Sequence, residues 1–413
     1  MKLSIIIIGD EILLGQVADT NSRTIARAMG ARGWEVESVA TVGDSAASIR
    51  EAIGRALGSD VDLVITTGGL GPTKDDITKN VMLEFFGGKL VWDRSVEENV
   101  ERVFARRGLQ LNELTRAQAL VPDSCRVVQN RFGTAPLMVF GRDGKMLVAM
   151  PGVPFETEGM LPEIVEMTTR HFSPDEFHCH HTMMVAGYTE SALAEYLAPF
   201  EENLAAGLHL AYLPTPGLIR LRLDGRGSDR EMLEKTFEEN LGRLKSLLGS
   251  HLIFDGDATA AEILLEKLRR RGYTFASAES CTGGNIAHAV TTVAGCSDVY
   301  VGSVVSYSNS VKTGLLGVSP EVLESDGAVS EPVVRAMVEG VRRATGADCA
   351  VATSGIAGPG GGSESKPVGT VWIAAATPER VEARLFRLPG NRARVIDRAT
   401  TEALLMLAAL VKS

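Results

Sequence analysis

The chain has 413 residues, and its 42 Lys and Arg against 52 Asp and Glu leave a formal charge of −10. At roughly 100–200 residues per domain, that length accommodates two to four domains with cores of their own. A 45% hydrophobic and 23% charged composition excludes a disordered or fibrous chain, and the negative balance argues against a protein that coats nucleic acid. Cys125, Cys179, Cys281, Cys296 and Cys349 are odd in number and lack Cys-x-x-Cys spacing, so they read as reduced thiols.

The apolar run over 3–8, closed by Gly9-Asp10, reads as a buried strand and is too short for a signal segment or a membrane span. The apolar stretch 403–411 closes a helix and is also too short to span, so the expected location is cytoplasmic. A helix is predicted over 21–31, with Asp19, Thr20 or Asn21 as its cap, then strands over 36–41 and 61–66 with a helix over 46–57 between them. This alternation implies a parallel sheet covered on both faces, with ligands at the carboxyl ends of its strands. Two loops sit at those ends: Gly9-Asp10-Glu11, and the run 67–73 (Thr-Gly-Gly-Leu-Gly-Pro-Thr).

Near His171 the pattern changes. Residues 178–185 suit a strand, 190–197 a helix, the stretch around Pro214 two strands, and 230–248 a long amphipathic helix. From 254 the α/β alternation returns: a helix over 260–271, a strand over 273–278, and strands near 299–307, 349–353, 370–375 and 381–386 around two more helices. The fold class is α/β, with α/β sandwich domains over 1–170 and 254–413 joined by a small α+β module over 171–253.

The turn Glu279-Ser280-Cys281-Thr282-Gly283-Gly284 places a serine where a strand hands over to a helix. N–H groups at a helix start hold an oxyanion or a phosphate, and a serine becomes a nucleophile once a base takes its proton. Tyr307 and Lys312 follow another strand end, and a lysine desolvated in a pocket can be that base. Taken singly, such a serine is more often a cap and such a lysine a surface residue; convergence on one sheet edge favours chemistry. Cys281 is the second candidate nucleophile, ranked below Ser280 because no histidine lies near it in sequence. A Gly-rich loop over 353–362 allows close approach of a ligand, and Arg392, before the last helix, suits an anion.

These segments, with Gly327 to Pro332 and Lys366 to Trp372, resemble the C-terminal domain of the CinA (competence/damage-inducible protein A) family. The resemblance implies a nicotinamide-nucleotide amidohydrolase that converts nicotinamide mononucleotide into nicotinate mononucleotide and ammonia without a cofactor. It implies Ser280 as nucleophile, Lys312 as base and Tyr307 as a hydrogen-bond partner of one or both. Thr282, Gly283, Gly284, Thr353, Ser354, Gly355, Gly358 and Gly360 would line the nucleotide site, with Arg392 on the phosphate. The family commonly carries Gly-Asp-Arg where this chain has Gly390-Asn391-Arg392.

Glu11, Asp75 and Asp76 supply the hard oxygens that Mg²⁺ takes when it bridges a substrate phosphate, although Asp75 and Asp76 also suit the start of the helix that follows. The run 68–78, Asn112 with Arg116, residues 130–136 and 151–156 together resemble the family's molybdopterin-binding-like domain. That resemblance implies divalent-metal-dependent hydrolysis of ADP-ribose to AMP and ribose 5-phosphate. Glu11, Asp75 and Asp76 would hold the metal; Asn21, Gly69, Gly71 and Thr73 would meet the phosphates.

Residues 171–253 are similar to the family's KH-like module, yet they lack the Gly-x-x-Gly loop that a nucleic-acid-binding KH domain needs. A spacer or dimerisation role is the better reading, and a homodimer is normal for the family. His178, Cys179, His180 and His181 suggest metal, but only alternate strand residues share a face. Two other readings remain: a non-catalytic pterin- or nucleotide-binding N-terminal half, and an interaction protein in DNA uptake, against which the charge speaks.

Overall fold

A computed structural model describes residues 1–73, 76–172, 177–215 and 217–411. The chain divides into two compact units, residues 1–179 with 226–235, and residues 180–225 with 236 onward.

The first unit is built on a six-stranded sheet. From one edge its strands are Glu35–Val42, Lys2–Ile8, Leu63–Thr67, Lys145–Met150, Leu137–Arg142 and Arg126–Val128. The expected parallel core is present, with Ile5 registered against Val39 on one side and Ile65 on the other. The sheet is mixed, however: Leu137–Arg142 runs against its neighbours. The cause is local, because Asp143 (φ 50°) and Gly144 (φ 78°) form a two-residue turn between the paired Arg142 and Lys145. Such turns demand positive φ at both positions and join antiparallel strands. Both faces are covered. One core gathers Ile6, Ile53, Val64 and Met82, and the other Ile5, Ile25, Met29 and Ile164, as period-2 strands require.

The helix Asn21–Gly30 is preceded by Thr20, but the capping hydrogen bond comes from Asp19, whose Oδ1 accepts the Ser22 N–H at 3.1 Å.

A four-stranded sheet takes the order Leu208–Thr215, Leu218–Gly227, Phe177–Val185, Leu252–Phe254. The C-terminal sheet has five strands, in the order Tyr300–Val305, Phe275–Glu279, Cys349–Gly355, Thr370–Ala376, Val381–Arg387. Its first three are parallel, whereas Thr370–Ala376 opposes both neighbours. The helix Ala260–Arg271 begins at a reciprocal Thr259–Glu262 capping box and ends at Gly272 (φ 66°). Between Val305 and Cys349 lie three helices rather than two: Asn309–Leu316, Pro320–Asp326 and Glu331–Thr345. The last packs close through Gly340, where a Cβ would stand 2.0 Å from the Leu316 carbonyl oxygen. Among the described residues no helix is long and apolar enough to cross a membrane.

Candidate active sites

The strand Phe275–Glu279 is buried throughout and ends at the carboxyl edge of the C-terminal sheet, beside the ends of Tyr300–Val305 and Cys349–Gly355. Ser280 is the next residue, and its N–H donates to Thr353 O at 3.0 Å. Lys312 reaches the same point from the helix Asn309–Leu316, whose start is capped by Ser308. It is 1% exposed, with Nζ 3.1 Å from Ser280 Oγ, 2.7 Å from Ser306 O and 3.4 Å from Tyr307 O. Burial pushes its pKa below the ordinary lysine value. In its neutral form the amine would have two N–H groups for the carbonyls and a lone pair for the Ser280 hydroxyl. Thirty-two residues apart in sequence, the two side chains meet at hydrogen-bond distance, the arrangement a serine and its base require.

Glu279 is a functional candidate that sequence reasoning passed over. Its side chain is fully buried. Oε2 accepts from the N–H groups of Gly284 (2.9 Å) and Ile286 (3.0 Å) and from the Thr282 hydroxyl (2.8 Å). Oε1 accepts from Ala287 N–H (2.9 Å) and from the hydroxyls of Ser277 (3.4 Å) and Ser303 (3.2 Å). This corrects the expectation that N–H groups at the start of the helix Asn285–Thr291 hold an oxyanion: the carboxylate already occupies them. In the turn itself, the Thr282 N–H has no acceptor among the described residues, and the Cys281 N–H meets only its own thiol. The chain re-enters the helix through Gly283 (φ 62°) and Gly284 (φ 101°), a backbone that side chains rarely adopt. The only signal for Glu279 was a carboxylate one residue before the candidate serine.

Tyr307 also differs from expectation. Its side chain is 61% exposed, and its hydroxyl accepts from Arg392 Nη2 at 2.9 Å instead of partnering Ser280 or Lys312; only its main-chain carbonyl meets the lysine. Arg392 Nη1 donates to Gly358 O at 2.9 Å, so one exposed guanidinium ties the tyrosine to the Gly-rich loop. Asn391 caps the final helix, accepting from Arg394 N–H at 3.0 Å. Thr353 and Ser354 are buried and committed inward: the Thr353 hydroxyl shares a 2.8 Å bond with Thr282, and Ser354 Oγ donates to Ala328 O at 2.6 Å. Gly355 packs tightly, its missing Cβ lying 2.7 Å from Val371 Cγ2, while Gly360 faces open space. Burial pushes the Cys281 thiol up to about 12, which disfavours the thiolate that a cysteine nucleophile needs.

In the first unit, a cavity of about 510 Å³ opens at the carboxyl ends of Lys2–Ile8 and Leu63–Thr67. Its wall includes Glu11, Asn21, Gly69, Gly71 and Asp76. Asn21 is nearly buried, and its amide donates to Gly152 O (2.8 Å) and Thr67 Oγ1 (3.3 Å). Asp76 does not cap the helix that follows. It folds the preceding loop, Oδ1 accepting from Gly71 N–H (2.7 Å) and Oδ2 from Thr73 N–H (2.8 Å) and the Thr73 hydroxyl. Gly71 and Thr73 therefore spend their donors on Asp76, and Thr73 lies off the cavity wall; the N–H groups of Gly69 and Leu70 have no acceptor among the described residues. Asp75 lies outside the described residues.

Among the described residues no group of three or more His, Cys, Asp or Glu side chains is placed to hold a metal ion, including the histidine run. His181 instead meets Asp255, Nε2 to Oδ1 at 2.6 Å, and Asp255 also meets Lys245.

The family models match in the same order as the folds. Residues 4–171 match the "Probable molybdopterin binding domain", 180–253 the "Damage-inducible protein CinA KH domain" and 257–411 the "CinA C-terminal domain". A CinA-like protein of Cytophaga hutchinsonii is 41% identical over 98% of this chain and 96% of its own length. The chain belongs to the CinA family. A second CinA-like protein, from Flavobacterium psychrophilum, is 38% identical over 98% of each chain. A crystal structure of a competence/damage inducible protein from Agrobacterium tumefaciens is 39% identical and covers 37% of this CinA chain and 94% of its own, with a TM-score of 0.37.

Proposed function

We propose that this CinA protein hydrolyses the carboxamide of nicotinamide mononucleotide, giving nicotinate mononucleotide and ammonia. The supporting observation is the buried Lys312 amine 3.1 Å from Ser280 Oγ. Lys312 takes the Ser280 proton as Oγ adds to the carboxamide carbon, and the N–H groups of Cys281 and Thr282, neither bonded outside its own residue, are the donors for the oxyanion. Lys312 returns its proton to the leaving nitrogen, ammonia departs, and water cleaves the acyl-serine by the same route. Arg392 and the neighbouring Gly-rich loop take the phosphate. Ammonia release by the wild type without added metal, lost in Ser280→Ala and Lys312→Ala, tests the reading. No release from the folded wild type refutes it.

A second activity is favoured by the N-terminal cavity: hydrolysis of ADP-ribose to AMP and ribose 5-phosphate. Glu11 and Asp76 both line the cavity and suit a hard divalent cation, and held by these two carboxylates Mg²⁺ would complete its sphere with substrate phosphate and water, as it commonly does. Such an ion would neutralise diphosphate charge. Asp76 shapes the loop and presents the unclaimed N–H groups of Gly69 and Leu70 to the phosphates. The test is AMP formation with Mg²⁺, abolished by chelation.

A further inference from the structure

We propose that Gln118 is the residue with which the N-terminal cavity recognises a hydroxyl group of a ribosyl ligand. The proposal rests on the ADP-ribose reading above and names a contact within it.

Gln118 belongs to a short 3₁₀ turn, Ala117–Ala119, and lines the cavity with Glu11, Asn21 and Asp76. It is 2% exposed, and its Oε1 is buried without a hydrogen-bond donor. Buried polar atoms are nearly always satisfied in folded proteins, and an orphan on a residue that lines a cavity is one that a ligand or a water can satisfy by a small shift of the side chain. The amide cannot relieve itself by turning over. Nε2 donates to Leu70 O at 3.4 Å, and the reverse orientation would set oxygen against oxygen. The turn is held from behind as well, since Lys79 Nζ donates to Gln118 O (3.0 Å) and Leu120 O (2.9 Å).

A carboxamide oxygen only accepts, so the missing partner is a donor and not a phosphate oxygen. Asn21, another residue lining the cavity, repeats the arrangement: its amino group is spent on Gly152 O and Thr67 Oγ1, which leaves its own oxygen as an acceptor. Two carboxamide acceptors with their donors committed elsewhere match a sugar diol. Free N–H groups of Gly69 and Leu70 in the same cavity match the adjoining diphosphate.

The experiment compares the full-length wild type with Gln118→Met, which keeps the length and removes the acceptor. Substrates are ADP-ribose, its deoxy analogues lacking a hydroxyl on either ribose, and the hypoxanthine analogue lacking the adenine amino group. Unchanged melting and ammonia release from nicotinamide mononucleotide establish that the variant is folded. On the wild type, one deoxy analogue is expected to lose about tenfold or more in kcat/KM, because the acceptor is then buried unpaired. Gln118→Met is expected to lose a similar factor on ADP-ribose and to treat that analogue and the parent alike. Equal discrimination by wild type and variant, or none by the wild type, overturns the inference and leaves the ADP-ribose reading standing. Discrimination confined to the hypoxanthine analogue and erased in Gln118→Met overturns it in favour of an amine contact. A wild type that neither binds nor cleaves ADP-ribose removes the substrate reading, and the inference falls with it.

Discussion

Replacing Glu279 by glutamine keeps the shape and removes one acceptor oxygen and the charge. The six donors around the carboxylate determine how the amide must sit. With its NH₂ on the Oε2 side it would face the fixed N–H groups of Gly284 and Ile286; on the Oε1 side it faces one, that of Ala287, and the hydroxyls of Ser277 and Ser303 can rotate to accept. The second orientation is therefore preferred. The bonds from Gly284 and Ile286 survive but lose charge assistance, about 1 kcal/mol each, and the Ala287 N–H is left buried and unpaired at about 1–3 kcal/mol. The sum is about 3–5 kcal/mol, which for a domain of this size lowers its melting transition on the order of 10 °C. Because the disturbed turn carries Ser280, a shift of about 1 Å would cost a further ~10²-fold in turnover. Calorimetry on the full chain and ammonia release from nicotinamide mononucleotide read the two effects separately. Unchanged melting with turnover within threefold refutes the reasoning. Lower melting with full turnover confines Glu279 to stability.

Lys312→Met and Lys312→Arg should both reduce ammonia release by roughly 10²–10⁴-fold, since neither supplies a neutral amine; a working arginine variant would mean that the cation acts as a charge and not as a base. Because burial lowers the Lys312 pKa, kcat/KM should rise with pH and level off below the ordinary lysine value of 10.5; a plateau at or above that value would contradict it. Tyr307→Phe should leave kcat within about threefold, because the hydroxyl bonds Arg392, whereas Arg392→Ala should raise KM about tenfold or more. Lys79 has its pKa lowered to about 8 by burial, so between about 8 and 10.5 the unfolded chain binds more protons than the folded one. The N-terminal unit should gain stability as pH rises through that window, and Lys79→Met should flatten the gain.

Legibility followed the range of the interactions. The helix Ala260–Arg271 could be read to the residue because Thr259, Glu262 and Gly272 fix its ends through contacts three or four positions long. The strands Lys2–Ile8 and Phe275–Glu279 announced themselves as apolar runs, and the loops at their ends as candidate sites. Strand direction was harder. Asp143-Gly144 was the available sign that Leu137–Arg142 opposes its neighbours, but α/β alternation elsewhere suggested a uniformly parallel sheet. At the C-terminal site the residue types were readable, whereas their partners were not. Whether Tyr307 reaches Lys312 or Arg392 depends on two strand ends and a helix start meeting in space, and no spacing encodes that. Glu279 and Gln118 were missed for one reason: buried polar residues look like ordinary ones until their donors and acceptors are counted.

The close approach at Gly340 makes the position of the Lys312 amine sensitive to a residue on a different helix. The Leu316 carbonyl is backbone and cannot rotate aside, so even one methyl group at position 340 must push apart two helices. One of them ends at Leu316 and carries Lys312 one turn earlier. Alanine, the mildest replacement in most helices, becomes here a wedge whose thickness is passed to the gap between Lys312 and Ser280. Diversity at this position is thus closed by the reach of a lysine.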